Sequence, residues 1–503
     1  MADQSGTTID LLIVGGGING AGIARDAAGR GLSVLLVEQD DLAGHTSSAS
    51  TKLIHGGLRY LEYGEFRLVR EALIERERLL AMAPHIIWPL SFVLPQTRSP
   101  RPAWMVRLGL FLYDHLGGRI RLPGTRTIRL DRSPFGAGLS ARGGKAFVYS
   151  DCWVEDSRLV VLNALDAAER GARIETRMRL LDARRDGEGW RATIEAEGGR
   201  TRVVRARILV NAGGPWVADV IARAQGSRAD RGVRLVKGSH IVVPRLYDGD
   251  HAFMLQNDDR RIVFAIPYEG AFTLVGTTDE PWTTAPGKAT IGAAETRYLL
   301  DTINRYFTRN TAERDIVWSY AGIRPLYDDH AADASAVTRD YVLDLDTGPA
   351  GAGLPPMLNI FGGKITTYRK LAEHALHELA SFLPPTGGGW TAGAPLPGGN
   401  MAEGDFERFL RTLVAERPSL PPALLRRLAR AYGTRVRVML GEARHVADLG
   451  PDLGGGLHRI EVDYLVLVEW ARTAEDILYR RSKLGLHVPA GTAERLADYL
   501  AAR

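Results

Sequence analysis

The chain has 503 residues, a net charge of +5, 56 glycines and one cysteine. A lone Cys152 excludes an intramolecular disulfide and any multi-cysteine metal centre, and no apolar run reaches the roughly 18 residues of a membrane-spanning helix. Ordinary apolar and charged fractions at this length predict two or three domains with sizeable cores, and the short polar N-terminus lacks the pattern of a secretory signal.

The first element is the most informative. Leu11 to Val14 reads as a buried strand, and Gly15, Gly17 and Gly20 follow it as G-x-G-x-x-G at the turn into a helix over 18–30. Such a turn needs unusual backbone angles and close backbone approach to a pyrophosphate, while the helix N-terminus presents free amides to the phosphates. Ser33 to Val37 forms a second strand, and Glu38 closes it about 20 residues on, where a carboxylate binds an adenosine ribose. Strand, helix, strand and acid in order predict a dinucleotide site.

A polar loop, Thr46 to Lys52, leads to Leu53-Ile-His-Gly-Gly-Leu-Arg-Tyr60 and a helix over 64–82. Between Arg98 and Arg132 stand eight arginines and only two acids, around the bulky segment Trp104 to Tyr113. This pattern suits either an anionic bilayer surface or a buried helix with a basic rim. A helix over 158–170 and strands near 173–175, 190–195 and 207–210 return to the nucleotide-binding pattern. From about 233 to 279 alternating strands predict an antiparallel sheet, with Asn257, Asp258 and Asp259 as a hairpin turn. Phe361 to Tyr368 opens a helix running toward Leu383; a Pro/Gly linker and a mainly helical C-terminal region follow. The predicted layout is α/β. A discontinuous Rossmann-like cofactor domain (8–90, 145–225 and 320–385) is interrupted by an antiparallel substrate or cap domain (91–144 and 226–319), and a helical domain (395–503) ends the chain.

Six motifs together resemble the FAD-dependent, respiratory glycerol-3-phosphate dehydrogenases. They are Thr46-Ser-Ser-Ala-Ser-Thr-Lys-Leu-Ile-His-Gly-Gly-Leu-Arg-Tyr-Leu61, Tyr149-Ser-Asp-Cys-Trp-Val-Glu-Asp-Ser-Arg-Leu159, Lys237-Gly-Ser-His240, Gly276-Thr-Thr-Asp279, Gly322-Ile-Arg-Pro-Leu326 and Phe361-Gly-Gly-Lys-Ile-Thr-Thr-Tyr-Arg-Lys-Leu-Ala372. The resemblance spans almost the whole chain. It implies a D-amino-acid-oxidase-like FAD fold, oxidation of sn-glycerol 3-phosphate to dihydroxyacetone phosphate, and electron transfer to membrane quinone. It also implies a homodimer held peripherally on the cytoplasmic side of the cell membrane. Asn211-Ala-Gly-Gly-Pro-Trp216 departs from the threonine-containing pattern of many relatives, yet keeps its glycine turn. Noncovalent FAD is expected, although His45 stands where some flavoenzymes carry a covalent link.

The resemblance places cofactor contacts at Gly15, Gly17, Gly20, Glu38, Thr46, Ser47, Ser48, Lys52, Leu53, His55, Gly56, Gly57, Ala212, Gly213, Trp216, Gly276, Gly362, Gly363, Lys364 and Thr366. A planar guanidinium binds phosphate oxygens in pairs, and the resemblance implies that Arg324, then Arg59 and Arg339, form the substrate clamp. His240 is the candidate proton acceptor, with Tyr60 a possible substrate contact. Lys364 and the glycines before it favour negative charge on a reduced flavin. No metal site and no nucleic-acid motif emerge. The rivals are a soluble glycerol-3-phosphate oxidase using oxygen, an amino-acid or amine oxidase on the same fold, and an inactive flavin-bearing membrane-docking protein.

Overall fold

A computed structural model describes residues 8–118, 120–225, 232–327, 340–349 and 352–503. Two large sheets organise the first three-quarters of the chain. The first is built on five parallel strands in the order Arg173–Thr176, Val34–Glu38, Ile9–Val14, Thr201–Asn211 and Met357–Phe361. Val342–Asp346 pairs antiparallel at one end, and the hairpin Met178–Asp186/Gly189–Ala196 pairs antiparallel with the beginning of Thr201–Asn211. The central strands are buried on both faces, which explains why they read as continuous apolar runs without alternation. Helices Ile18–Gly29, Asp156–Glu169 and Tyr368–Glu378 cover one face and share a core with Ile13, Leu36 and Val210.

The second sheet is mostly antiparallel. Its order runs Glu280–Pro281, Val233–Pro244, Phe272–Gly276, Ile262–Tyr268, Ala252–Gln256, Ile87–Pro95, Lys145–Val154 and Leu53–Ile54. Trp318–Tyr327 also pairs along Val233–Pro244, matching His240 with Tyr320 and Val236 with Arg324. Asn257 closes the turn between Ala252–Gln256 and Ile262–Tyr268 through its amide to the Arg261 carbonyl, 3.0 Å, as its composition predicts.

Sheet membership moves the expected domain edges. Lys145–Val154 and Trp318–Tyr327, assigned from sequence mainly to the cofactor domain, belong to the second sheet. Pairing across long sequence separations decides this, and local pattern does not carry that information. The Trp104 segment lies in a helix, Ala103–Leu116, and the helix that the Phe361–Tyr368 segment opens begins at Tyr368.

The C-terminal region packs Phe406–Glu416, Pro422–Tyr432, Val436–Leu440, Arg459–Glu469 and Thr492–Ala501 around a separate core that includes Leu413, Leu428, Tyr432 and Leu465. Buried ion pairs fasten it to the nucleotide domain. Arg158 forks onto Glu469, Arg481 and Arg480 both bind Asp41, and Arg177 reaches Asp476 at 2.9 Å. Losing one partner of such a pair strands a buried charge, so these contacts specify where the domain docks.

Candidate functional site

The nucleotide groove follows from close backbone packing. Gly15 has φ +115°, in the region that favours glycine, and a Cβ there would stand 2.3 Å from the Ala212 carbonyl oxygen. A Cβ on Gly20 would come within 2.0 Å of the Gly15 oxygen. These two glycines therefore let strand, helix and the 212 turn meet. Gly17 is the N-cap of the helix and offers no capping side chain; the Ser47 hydroxyl accepts the Ile18 amide instead, at 3.0 Å. Glu38 accepts the Gly16 amide at 2.6 Å and the Asp40 amide at 2.8 Å. Burial pushes its carboxyl above the ordinary value, and those two amides pull it back.

One continuous groove runs past Gly15, Gly17, Glu38, Ser47, Ala212, Gly213, Trp216, Gly362 and Gly363. Gly362 and Gly363 have φ +72° and +95°, and the Asn19 side chain donates to the Gly362 carbonyl at 3.1 Å. Asn19 Oδ1 remains buried without a partner among the described residues, so the groove presents an unused polar atom between its two glycine turns. A ribose-binding acid at one end, helix-start amides in the middle and paired glycines at the other end fit FAD.

Several expected contacts sit differently. The Thr46 hydroxyl donates to the Ile323 carbonyl at 2.6 Å, and the Ser48 hydroxyl donates to the His45 carbonyl at 3.1 Å. Lys52, expected as a cofactor contact, is wholly buried and does not line the groove. Its ammonium binds both Asp156 oxygens, at 3.0 and 2.9 Å, and the Ser48 carbonyl, at 3.0 Å. A buried ammonium requires a counter-charge, and Asp156, beyond reach of any local motif, supplies it. Leu53 turns its side chain into the apolar core beside Val69 and Leu73. Gly56 receives the Tyr113 hydroxyl at its amide, 2.7 Å, and that hydroxyl in turn contacts Asp151 at 2.8 Å.

The substrate-side residues form a connected run. The His55 amide donates to Thr366 Oγ1 at 3.3 Å, and burial lowers the His55 imidazole. Lys364 Nζ lies 4.4 Å from the Tyr60 ring centroid, while Tyr60 packs over Gly57, whose φ is +72°. Gly362 lies against the Pro325 carbonyl, next to Arg324. Arg324 pairs with Asp279 and donates to Thr277 Oγ1 and the Thr278 carbonyl, each at 3.1 Å. Gly238 leaves room for this guanidinium, since a Cβ there would sit 2.2 Å from Arg324 Nη2. Arg59 donates to the Tyr63 hydroxyl at 3.4 Å, and its Nε is buried without a partner among the described residues.

His240 is 2% exposed. Burial holds its imidazole well below the ordinary value, and the Lys52 and Arg324 cations push the same way, so the ring is neutral at physiological pH. Gly276 lies under this ring. Arg339 falls outside the described residues. Cys152 is buried, and burial pushes its thiol up, which removes it as a nucleophile. Sequence reasoning missed Asn19, Thr51 and Tyr320; Thr51 lies inside a quoted motif, but nothing local marks Tyr320.

Residues 10–369 match the family model for FAD dependent oxidoreductase, and residues 390–502 match the C-terminal domain of alpha-glycerophosphate oxidase. A glycerol-3-phosphate dehydrogenase of Pseudomonas aeruginosa is 55% identical over 491 residues, covering 98% of this chain and 94% of the relative. A D-erythritol 1-phosphate dehydrogenase of Brucella abortus is 54% identical over 492 residues, covering 97% of each. The crystal structure of glycerol-3-phosphate dehydrogenase from Bacillus halodurans complexed with FAD superposes with a TM-score of 0.73 at 26% identity, covering 99% of this chain and 95% of that one. The chain therefore belongs to the FAD-dependent glycerol-3-phosphate dehydrogenase family and is an FAD-binding oxidoreductase.

Proposed function

We propose that the protein oxidises sn-glycerol 3-phosphate to dihydroxyacetone phosphate and passes the electrons to membrane quinone. The observation that carries the substrate reading is the buried Arg59 Nε, without a partner among the described residues, on the run that also holds Tyr60, Lys364 and Arg324. A guanidinium with unused, desolvated donor capacity calls for an anion, and phosphate suits its fork. Arg59 and Arg324 hold the phosphate and thereby aim the C2 carbon. Neutral His240 takes the hydroxyl proton at a ring nitrogen. FAD, when bound, supplies the acceptor for the C2 hydride. Gly15, Gly17, Glu38, Ser47, Ala212, Gly213, Trp216, Gly362 and Gly363 would hold it, with Lys364 adding a cation that favours negative charge.

Helix Ala103–Leu116 supports attachment to one leaflet of the membrane. Trp104, Leu108 and Phe111 are 71%, 52% and 49% exposed along one face, with Arg107 exposed beside them. Among the described residues no helix is long and apolar enough to cross a bilayer. An exposed apolar stripe with basic neighbours suits the headgroup boundary of an anionic surface. The opposite face of that helix carries Tyr113, whose hydroxyl accepts the Gly56 amide and ties the helix to the loop that leads to Arg59. This placement supports a cytoplasmic-side peripheral enzyme that delivers electrons to a lipid-dissolved acceptor.

A second reading, oxidation of D-erythritol 1-phosphate, is favoured by the Brucella abortus relative, whose 54% identity is level with the 55% of the Pseudomonas enzyme. Anaerobic titration of the flavin-loaded protein separates the two. Bleaching of flavin absorbance by glycerol 3-phosphate at lower concentration than by erythritol 1-phosphate supports the first, the reverse order supports the second, and no bleaching by either overturns both. Rapid reduction of a quinone analogue and flotation with anionic liposomes are expected, with Trp104→Ser weakening flotation about 10- to 100-fold for a loss of about 1.5–3 kcal/mol of burial. Peroxide formation with no liposome binding would identify an oxygen-using oxidase instead.

A further inference from the structure

His240 is held on three sides by residues the proposed reaction does not itself require. Its ring stacks on Tyr320, with centroids 4.8 Å apart and planes at 17°. The Tyr320 hydroxyl is fixed by donating to the Ser50 carbonyl at 2.8 Å, and Lys52 Nζ stands over the same phenol ring, 4.9 Å from its centroid. On the edge of the imidazole, Nε2 is 3.0 Å from Thr51 Oγ1. Beneath it, a Cβ on Gly276 would stand 2.0 Å from the ring Cδ2. Nδ1 is buried without a partner among the described residues. Ser48, Ser50, Thr51 and Lys52 thus commit polar groups to this cradle.

We propose that Thr51, Tyr320 and Lys52 are positioning residues that hold His240 as a neutral imidazole with its proton on Nε2, leaving Nδ1 as the atom that accepts the substrate hydroxyl proton. The inference rests on the reading of His240 as the proton acceptor. Which ring nitrogen is bare is set by the hydrogen bond the other makes. In this arrangement Nε2–H donates to the Thr51 oxygen and the lone pair stays on Nδ1, because the opposite tautomer would bury an Nδ1–H with no acceptor among the described residues. In the step itself the substrate O–H bond breaks and an Nδ1–H bond forms, while the electron pair of the C2–H bond leaves with the hydride and C2 becomes a carbonyl. The charged groups around the ring keep it neutral beforehand. Lys52 and Arg324 face it as cations, and their carboxylates, Asp156 and Asp279, are engaged with those cations and not with the imidazole. The stack on Tyr320 opposes rotation of the ring, which would put Cδ2 in the place of Nδ1 and carry Nε2 away from Thr51.

The test uses the flavin-loaded enzyme with histidine labelled in the ring nitrogens, and His240→Asn to assign the resonance. At neutral pH the ¹⁵N spectrum should show His240 protonated on Nε2. Thr51→Val should lower kcat about 10- to 100-fold with KM within about threefold, and Thr51→Ser should restore most of the loss. Tyr320→Leu should lower kcat more than Tyr320→Phe, which keeps the stacked ring. Full activity in His240→Asn would overturn the proton-acceptor reading itself. A large loss in His240→Asn with an Nδ1-protonated wild-type ring, or with an unaffected Thr51→Val, would overturn the positioning role alone. Equal changes in kcat and KM, or loss of flavin absorbance in Thr51→Val without rescue by serine, would mark Thr51 as merely structural and overturn its part as well.

Discussion

On the proposed reading, the two sheets would recognise their ligands by different means. In the parallel sheet the working groups are backbone: Gly15 and Gly20 bring a strand end, a helix start and the 212 turn together, and side chains contribute little beyond Glu38, Ser47 and Asn19. In the antiparallel sheet the working groups are side chains raised from adjacent strands, His240 beside Tyr320 and Arg324 over Gly238. Glycine appears in both for opposite reasons. In the first it lets backbone meet backbone; in the second it clears space for a functional side chain. The lesson is that an added methyl group should damage cofactor retention in one sheet and turnover in the other.

The strongest test of this contrast is a pair of alanine substitutions. Gly20→Ala drives a Cβ to 2.0 Å from the Gly15 oxygen, where backbone cannot yield, so the purified protein should come out largely without flavin and inactive. Gly276→Ala drives a Cβ to the same distance from the His240 ring, so flavin absorbance should remain while kcat falls about 100-fold or more. If both variants lose flavin equally, the division of labour between the sheets is wrong. Arg324→Ala comes next. It removes a partly exposed guanidinium, should raise KM for the phosphorylated substrate about 10- to 100-fold, and should leave flavin bound. An unchanged KM removes Arg324 from the clamp.

A smaller effect probes the contact between the nucleotide domain and the C-terminal helices. Burial pushes the Asp476 carboxyl up, but the Arg472 amide, Arg480 and Arg177 pull it further down, to about 2. A carboxyl depressed in the folded state contributes stability that is fully present above its ordinary value of 3.8 and is lost as pH falls toward 2. That contribution is about 2 kcal/mol. Chemical denaturation of wild type between pH 4 and pH 2 (a window of about two units) should show the decline, and Asp476→Asn should flatten it. An equally steep decline in the variant would place the acid sensitivity elsewhere.

The parallel sheet was readable because its determinants are local. Gly15 to Glu38 lie within one strand–helix–strand unit, and each residue's role follows from its neighbours in sequence. Lys52 shows where that reading stops. It stands in a conspicuous motif, yet its ammonium is claimed by Asp156, and only the tertiary fold reveals that the charge is spent inside the protein. Tyr320 and Thr51 were invisible as functional groups for the same reason: their importance comes from the register that sets Tyr320 opposite His240. Lys145–Val154 read as nucleotide-domain sequence because an apolar strand looks alike in either sheet, and pairing with Ile87–Pro95 decides its home.

Asp41 has a consequence for how the molecule is made. This buried carboxylate follows Glu38 by three positions, and the cations that neutralise it, Arg480 and Arg481, are 439 and 440 residues further along the chain. Both arginines follow every segment of the cofactor-binding unit, including Met357–Phe361 and the Gly362–Gly363 turn. During synthesis the emerging N-terminal half must carry an uncompensated acid beside its ribose pocket, so mature flavin affinity should arrive only once the C-terminal helices that hold Arg480 and Arg481 have docked.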